Sequence, residues 1–220
     1  MNDYMNLTVE ERQEQLLQTV RIPYEHSDYL KNMNIQPKVV YDLGSCVLHW
    51  TREAKMIWPD ADIILFEAMD EVKPLYEKYG YKKYSLGVLS DVDGKKVRFY
   101  QKAYDPGGNS YYKENTSFFQ EEHAIEKTAM TLDTLVEVNQ FPFPNLIKMD
   151  IQGAEMDVLR GAKKCLASCE DVILELQHVE YNIGAPNRDK VIQYMDELGF
   201  NLISNFTLTN VDGDYHFKKR

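Results

Sequence analysis

Short apolar runs alternate with helical apolar stripes along most of this chain, and the alternation predicts its architecture. Val39, Val40 and Tyr41 form the kind of run a buried strand needs, ending at Asp42, Leu43 and Gly44. Residues 49–58 read as a helix that stops at Pro59, since proline disfavours a helical residue ahead of it. Ile63, Ile64, Leu65 and Phe66 make a second strand ending in Glu67. Val72, Leu75, Tyr76 and Tyr79 then give a helix its apolar stripe, with Gly80 as its C-terminal cap. Residues 83–89 predict a third strand, and an Asp93-Gly94 turn leads to an extra strand over 96–101. The rhythm is lost between 103 and 128. There Pro106, Gly107, Gly108, Asn109 and Ser110 precede Tyr111, Tyr112, Phe118 and Phe119, the composition of a binding loop or lid.

Strand and helix then alternate again. Thr131-Leu132-Asp133 opens a short helix, and Leu146, Ile147 and Met149 mark a strand. From near Ala154 one helix is expected, with Val158, Leu159, Ala162 and Leu166 on one face and Cys165 and Cys169 sharing a face four residues apart. Residues 172–176 form the next strand and 189–198 a helix capped by Gly199. Segments 202–208 and 215–218, joined through Asp212-Gly213, make a closing antiparallel hairpin. Ahead of all this, Thr8 and Glu11 form a capping box, followed by Leu16, Leu17 and Val20 and a second short helical piece over 27–33. The expected organisation is a helical extension over 1–36 and one domain over 37–220. That domain is a Rossmann-like α/β sandwich with helices on both faces of a mostly parallel sheet and a C-terminal antiparallel hairpin. Right-handed crossovers place Asp42, Glu67, the 86–88 segment, Asp150 and Glu175 along one edge of the sheet.

Composition narrows the function classes. A chain of 220 residues that is 44% apolar can bury a sizeable core. The net charge of −10 is spread along the sequence and disfavours nucleic acid as a partner, which requires Lys and Arg to displace phosphate counterions. Three cysteines without framework spacing fit a reducing compartment. With no signal-peptide core and no window of membrane-spanning length, the expectation is a soluble cytoplasmic protein without a membrane partner.

The densest polar chemistry lies in 146–161, L-I-K-M-D-I-Q-G-A-E-M-D-V-L-R-G, where Lys148, Asp150, Gln152 and Glu155 crowd a strand-to-helix turn around Gly153. The same turn is also readable as a capped connection with solvated charges. Glu67 falls 25 residues after Asp42, close to the spacing at which an acid on the second strand accepts hydrogen bonds from a ribose diol. The first loop holds only Gly44, followed by Ser45, Cys46, Val47 and Leu48. It is poor for a pyrophosphate and adequate for a ligand without phosphates. Asp42 suits a cationic ligand group, an amino group or a sulfonium. An adenosine diol beside a positive centre points to S-adenosylmethionine.

At these positions the sequence resembles FkbM-type methyltransferases. The motifs V-V-Y-D-L-G-S, I-L-F-E-A, S-D-V-D-G, T-L-D-T-L, I-K-M-D-I-Q-G-A-E-M-D-V-L-R-G-A, V-I-L-E-L-Q-H and D-Y-H-F follow that family's order over roughly 38–217. The resemblance implies a class I, S-adenosylmethionine-dependent transferase acting on a hydroxyl of a sugar or other small molecule. It implies that Asp42, Gly44 and Ser45 line the methionine end, Glu67 holds the ribose, Ser90 and Asp91 lie near adenine, Asp150 sits beside the methyl, and Glu155 anchors the turn. The chain departs from the pattern at Cys46 and Leu48, where the family commonly has Asn and Gly, and at Gln152, where it has an acid. Leu48 either narrows the cofactor pocket or alters helix packing.

A hydroxyl acceptor must lose a proton, and Asp150 and His178 are the candidate bases, with Glu175 orienting His178 or binding substrate. A minority reading makes Asp150, Glu175 and His178 ligands of a divalent cation, although their spacing is no recognised metal pattern. Tyr111, Tyr112, Phe118 and Phe119 either stack on the acceptor or pin their loop. Two further classes stay open: a nucleotide-linked oxidoreductase on the same fold, against which the missing G-x-G-x-x-G weighs, and a non-catalytic partner that has lost tight cofactor binding. The acceptor, a small molecule or glycan, and the oligomeric state are not fixed by sequence.

Overall fold

The computed structural model describes residues 7–220. The N-terminal helices are α1 (Val9–Thr19) and α2 (Tyr24–Asn32). The alternating part comprises β1 (Val39–Leu43), α3 (His49–Ile57), β2 (Asp62–Glu67), α4 (Lys73–Lys78) and β3 (Tyr84–Leu86). Next come β4 (Val88–Leu89), β5 (Lys95–Tyr100), β6 (Ala124–Met130), α5 (Leu132–Asn139) and β7 (Leu146–Met149). The chain closes with α6 (Glu155–Arg160), α7 (Lys163–Ser168), β8 (Asp171–Gln177), α8 (Arg188–Glu197), β9 (Phe200–Phe206) and β10 (Asp212–Lys219).

Among the described residues the main sheet has seven strands in the order β3-β2-β1-β7-β8-β10-β9. Strands β1, β2, β3, β7 and β8 pair in parallel, while β10 runs antiparallel to both neighbours. The strand order reverses between β1 and β7, and open α/β sheets bind ligands at such a switch point. Alternate side chains of each central strand enter different cores. Val40, Ile63, Leu65, Leu146 and Ile173 pack with α3 and α4, whereas Tyr41, Leu43, Ile64, Phe66, Ile147, Met149, Val172 and Leu174 join the core holding α5 to α8.

The third strand differs from the sequence reading. It breaks at Gly87, and β4 leaves the main sheet to pair with β6 in a second sheet of order β4-β6-β5. Strand β6 itself lies partly inside the segment expected to be irregular. The long helix expected from Ala154 is also broken, at Gly161, which leaves Cys169 beyond the end of α7. A side chain at Gly161 would place its Cβ 2.4 Å from the Ser90 carbonyl, so the close approach to the S-D-V-D-G turn fixes the break. The capping box at Thr8 and Glu11 forms as expected.

Buried polar contacts seat α2 on the far strands. The Trp50 indole N–H donates to His26 Nε2 at 2.9 Å, so Nδ1 carries the proton and donates to Asp214 on β10 at 2.9 Å. Tyr29 stacks on Phe206 with ring centroids 4.0 Å apart, and its hydroxyl meets His216 Nδ1 at 2.8 Å. His216 Nε2 in turn contacts Asp171 at 2.8 Å. His26, Asp214 and Trp50 are all buried, so losing a partner leaves a poorly solvated polar group behind. We expect His26→Ala to destabilise the chain by about 2–5 kcal/mol, through an unpaired carboxylate and an unpaired indole N–H. Urea unfolding checks this, and an unchanged midpoint would show that the triad contributes nothing to stability.

Candidate active site

The carboxyl ends of β1 and β7 meet with no room for a side chain between them. Gly44 has φ +81°, and a Cβ built there would lie 1.9 Å from the Asp150 carbonyl oxygen. Neighbouring hydrogen bonds lock the approach: Asp150 N–H donates to the Leu43 carbonyl at 3.0 Å and Gly44 N–H to the Phe66 carbonyl at 2.9 Å. The loop that follows is pinned by Tyr76, whose hydroxyl meets Ser45 Oγ and donates to the Cys46 carbonyl, each at 2.8 Å.

Above this junction opens a cavity of about 410 Å³, within the range of small-molecule sites. Its walls come from six places: the α1–α2 link with His26, the first loop with His49 and Trp50, the ends of β2 to β4, the 106–111 loop, the turn after β7 with Glu175, and the β9–β10 turn. Gly44, Ser45, Glu67 and Asp150, four of the residues expected from sequence, share this wall. Glu67 is 8% exposed; its carboxylate accepts from Cys46 N–H at 2.8 Å and Met69 N–H at 3.0 Å. Its oxygens accept at more than these sites, which leaves acceptor capacity for a diol. Burial raises its pKa despite these amides.

Asp150 sits at the centre of a polar cluster. Lys148 Nζ donates to Asp150 Oδ2 at 3.1 Å and lies 3.9 Å from Asp42 Oδ1. Gln152 Nε2 donates to both Asp150 Oδ1 and Glu175 Oε2, at 2.9 Å each. Burial pushes Asp150 up, but Lys148 and the hydrogen bonds from Glu175, Gln152 and Lys148 outweigh it and hold its carboxyl below the usual range. Glu175 is driven well above its usual range by burial and by the Asp150 charge beside it. The pair therefore carries one proton, on Glu175, and one charge, on Asp150. Gln152 suits this arrangement, since an acid in its place would add a third carboxyl where a donor is needed. Lys148 is only 5% exposed, and the acids beside it, Asp150 first and Asp42 next, overcome the burial that opposes its charge.

Several expected residues fall elsewhere. Asp42 lies off the cavity wall. It pairs in register with Lys148 on the α3 face of the sheet, where it is fully buried, and Thr51 donates to its Oδ2. Its place one residue before Leu43 in the strand alternation sends it beneath α3. Ser90 and Asp91 are also off the wall, tied to Lys95, while Val88 and Leu89 line the cavity nearby. His178 is turned away: its Nδ1 contacts the Thr209 carbonyl at 3.1 Å and its Nε2 the Tyr215 hydroxyl at 2.9 Å. Glu175 consequently orients no histidine, and Asp150, Glu175 and His178 do not gather as a metal site. Tyr111 and Tyr112 both donate to Asp157 at 3.0 Å, and Phe119 is fully buried, so these aromatics pin the loop; Tyr111 also lines the cavity. Leu48 has φ +70° but is buried in the α3 core off the cavity wall, so it does not narrow the pocket.

One group went unnoticed in the sequence. His49 lines the cavity, and its Nε2 lies 3.0 Å from the Leu16 carbonyl, which can only accept, so Nε2 carries the proton. Its Nδ1 has no partner among the described residues. Burial, with Arg52, Arg21 and Lys148 nearby, lowers its pKa and keeps the ring neutral. No sequence signal marks this residue, because the contact comes from α1, 33 residues away. Cys46 also lines the cavity, and burial and the Glu67 charge raise its thiol pKa.

A parallel sheet with one reversed strand, and a cavity at its β1–β7 switch point, define a Rossmann-like methyltransferase fold. The profile described as the methyltransferase FkbM domain matches residues 41–202, and the chain belongs to this family. Hexuronic acid methyltransferase AglP of Haloferax volcanii is 33% identical over 88 residues, 40% of this chain and 34% of that protein, so the chain spans about a third of that curated relative's length. The FkbM methyltransferase structure from Methylobacillus flagellatus superposes with a TM-score of 0.55 at 14% identity, covering 92% of this chain and 50% of that one. Magnesium protoporphyrin IX methyltransferase (ChlM) from Synechocystis, solved with bound SAM, gives 0.50 at 9% identity, covering 99% and 94%. At these identities the structures speak for the fold. No helix among the described residues is long and apolar enough to cross a membrane.

Glu155 anchors the turn as expected, accepting from Ile151 N–H at 3.1 Å and Gly153 N–H at 3.2 Å. Burial raises its pKa from 4.5 to about 7. Between these values the folded chain holds a proton that the unfolded chain has released, so this group's contribution to stability falls as pH rises. Glu155→Gln removes that dependence. From pH 4.5 to 7 the variant should gain up to about 3 kcal/mol relative to wild type. Urea unfolding at several pH values tests this, and a difference that stays flat with pH would refute the raised acid.

Proposed function

We propose that the chain transfers the methyl group of S-adenosylmethionine to a hydroxyl of a small-molecule acceptor, of which a sugar is the first candidate. The observation that carries this reading is the cavity at the β1–β7 switch point, with Glu67 at the end of β2 and a first loop unsuited to pyrophosphate. The Cys46 amide, a potential phosphate donor, is already taken by Glu67, whose charge would repel a phosphate. That weighs against a dinucleotide-dependent oxidoreductase. The wall fits the proposed cofactor: Glu67 for the ribose diol, Val88 and Leu89 for the adenine face, and Gly44 and Ser45 for the methionine end. The name of the Haloferax relative supports a sugar acceptor, and the bound SAM of the Synechocystis structure supports the cofactor.

When bound, S-adenosylmethionine supplies a methyl group on a sulfonium that departs as a neutral thioether. The chain's own task is to hold the acceptor in line and to take up its proton. The ionised Asp150 carboxylate is an acceptor for the incoming hydroxyl, kept in place by Lys148 and Gln152. The Nδ1 lone pair of the neutral His49 is the free imidazole base in the cavity wall. His26 cannot serve, since both its ring nitrogens are engaged.

Calorimetric titration with S-adenosylhomocysteine tests cofactor binding, and no heat at millimolar ligand would reject the reading. Glu67→Gln should weaken that binding by about 1–3 kcal/mol. Transfer of labelled methyl to a panel of saccharides tests the base. His49→Ala is expected to lose about 100-fold or more in rate and His178→Ala only a few-fold. The reverse order would exclude His49 as the base.

A further inference from the structure

Of the cationic side chains in the cavity wall, Lys148 is consumed by Asp150 and Asp42, and its ammonium is buried beneath the acid pair. Arg21, in the link between α1 and α2, is placed differently. It lines the cavity and its Nη1 donates to the Leu17 and Val20 carbonyls at 3.1 and 3.2 Å, at the C-terminal end of α1. Those bonds hold one terminal nitrogen of the guanidinium, while its remaining N–H groups meet no hydrogen-bond or ion-pair partner among the described residues. The acids of the same wall, Asp150, Asp212, Asp214 and Glu67, are each met by other donors. Arg52 donates to the same Leu17 carbonyl at 2.7 Å, which adds a second positive charge behind Arg21.

We propose that Arg21 forms a carboxylate subsite at the α1–α2 side of the cavity. A guanidinium held by one nitrogen still offers a fork to a planar anion, which an ammonium does not. Elsewhere the wall is acidic, so a carboxylate entering this cavity is steered to Arg21 and its hydroxyl-bearing part is left for Asp150 and His49. The subsite rests on the methyl-transfer reading for its ligands, and a carboxylate reaches it from one of two sources: the amino-acid end of the cofactor or a carboxylated acceptor such as a uronic acid.

Calorimetry separates these sources and keeps the underlying reading independent. S-adenosylhomocysteine is titrated first into wild type, where absence of binding rejects the methyl-transfer reading itself, whatever Arg21 does. Methylthioadenosine, which lacks the amino-acid end, and D-glucuronate added to the S-adenosylhomocysteine complex are the two probes. If Arg21→Gln weakens S-adenosylhomocysteine about tenfold or more and spares methylthioadenosine, the cofactor supplies the carboxylate. If it weakens D-glucuronate by that factor and spares S-adenosylhomocysteine, the acceptor supplies it. Unchanged affinity for both carboxylates, or equal weakening of methylthioadenosine, overturns the subsite. Arg21→Lys keeps the charge near α1 and is measured alongside; it should recover part of the lost affinity, and it stands in for Arg21→Gln if that variant does not fold.

Discussion

The backbone contact between Gly44 and Asp150 constrains everything around it. Two strand ends approach until one Cβ would overlap a carbonyl oxygen, and that closeness sets the positions of the first loop and the K-M-D turn together. Because β1 and β7 are also the strands between which the order reverses, the contact forms the floor of the cavity. A larger residue at position 44 would separate the strands and move Ser45, Cys46 and Asp150 at once. The proposed cofactor wall and the acid cluster therefore share one geometric origin.

Charge inside the cavity is arranged with little waste. Lys148 sits between Asp42 beneath the sheet and Asp150 at its edge, so a buried ammonium is matched from both sides. Gln152 donates to two carboxyls whose mutual repulsion is relieved by one retained proton. The N-terminal helices complete the wall. His49 and Arg21 both bind carbonyls at the end of α1, where a helix carries partial negative charge, and both line the cavity.

Much of this was legible in the sequence. Strand runs ending in Gly44, Glu67 and Asp150, with Glu175 late in the next strand, located the sheet edge, because a buried parallel strand is apolar for most of its length and polar chemistry gathers at its end. The resemblance to the FkbM family was carried by the K-M-D-I-Q-G-A-E block and agrees with the profile match. What failed depended on side-chain direction and distant contact. Asp42 is at a strand end, yet the two-residue alternation turns it under α3. His178 follows a strand but is captured by Tyr215 and Thr209, both brought there by the hairpin. The break after Arg160 follows from the Ser90 carbonyl pressing on Gly161, and no local pattern encodes that neighbour. His49 and Arg21 gained their places in the cavity wall only when α1 folded back over the first loop.

Cys46 bears on how the cavity proposed for an alkylating cofactor treats its own nucleophiles. A thiolate facing the sulfonium of the proposed cofactor would be a faster methyl acceptor than any alcohol, and the chain would methylate itself. Burial and the Glu67 carboxylate keep this sulfur protonated and correspondingly inert. The acid proposed to grip the ribose thereby also protects the protein from its own reagent.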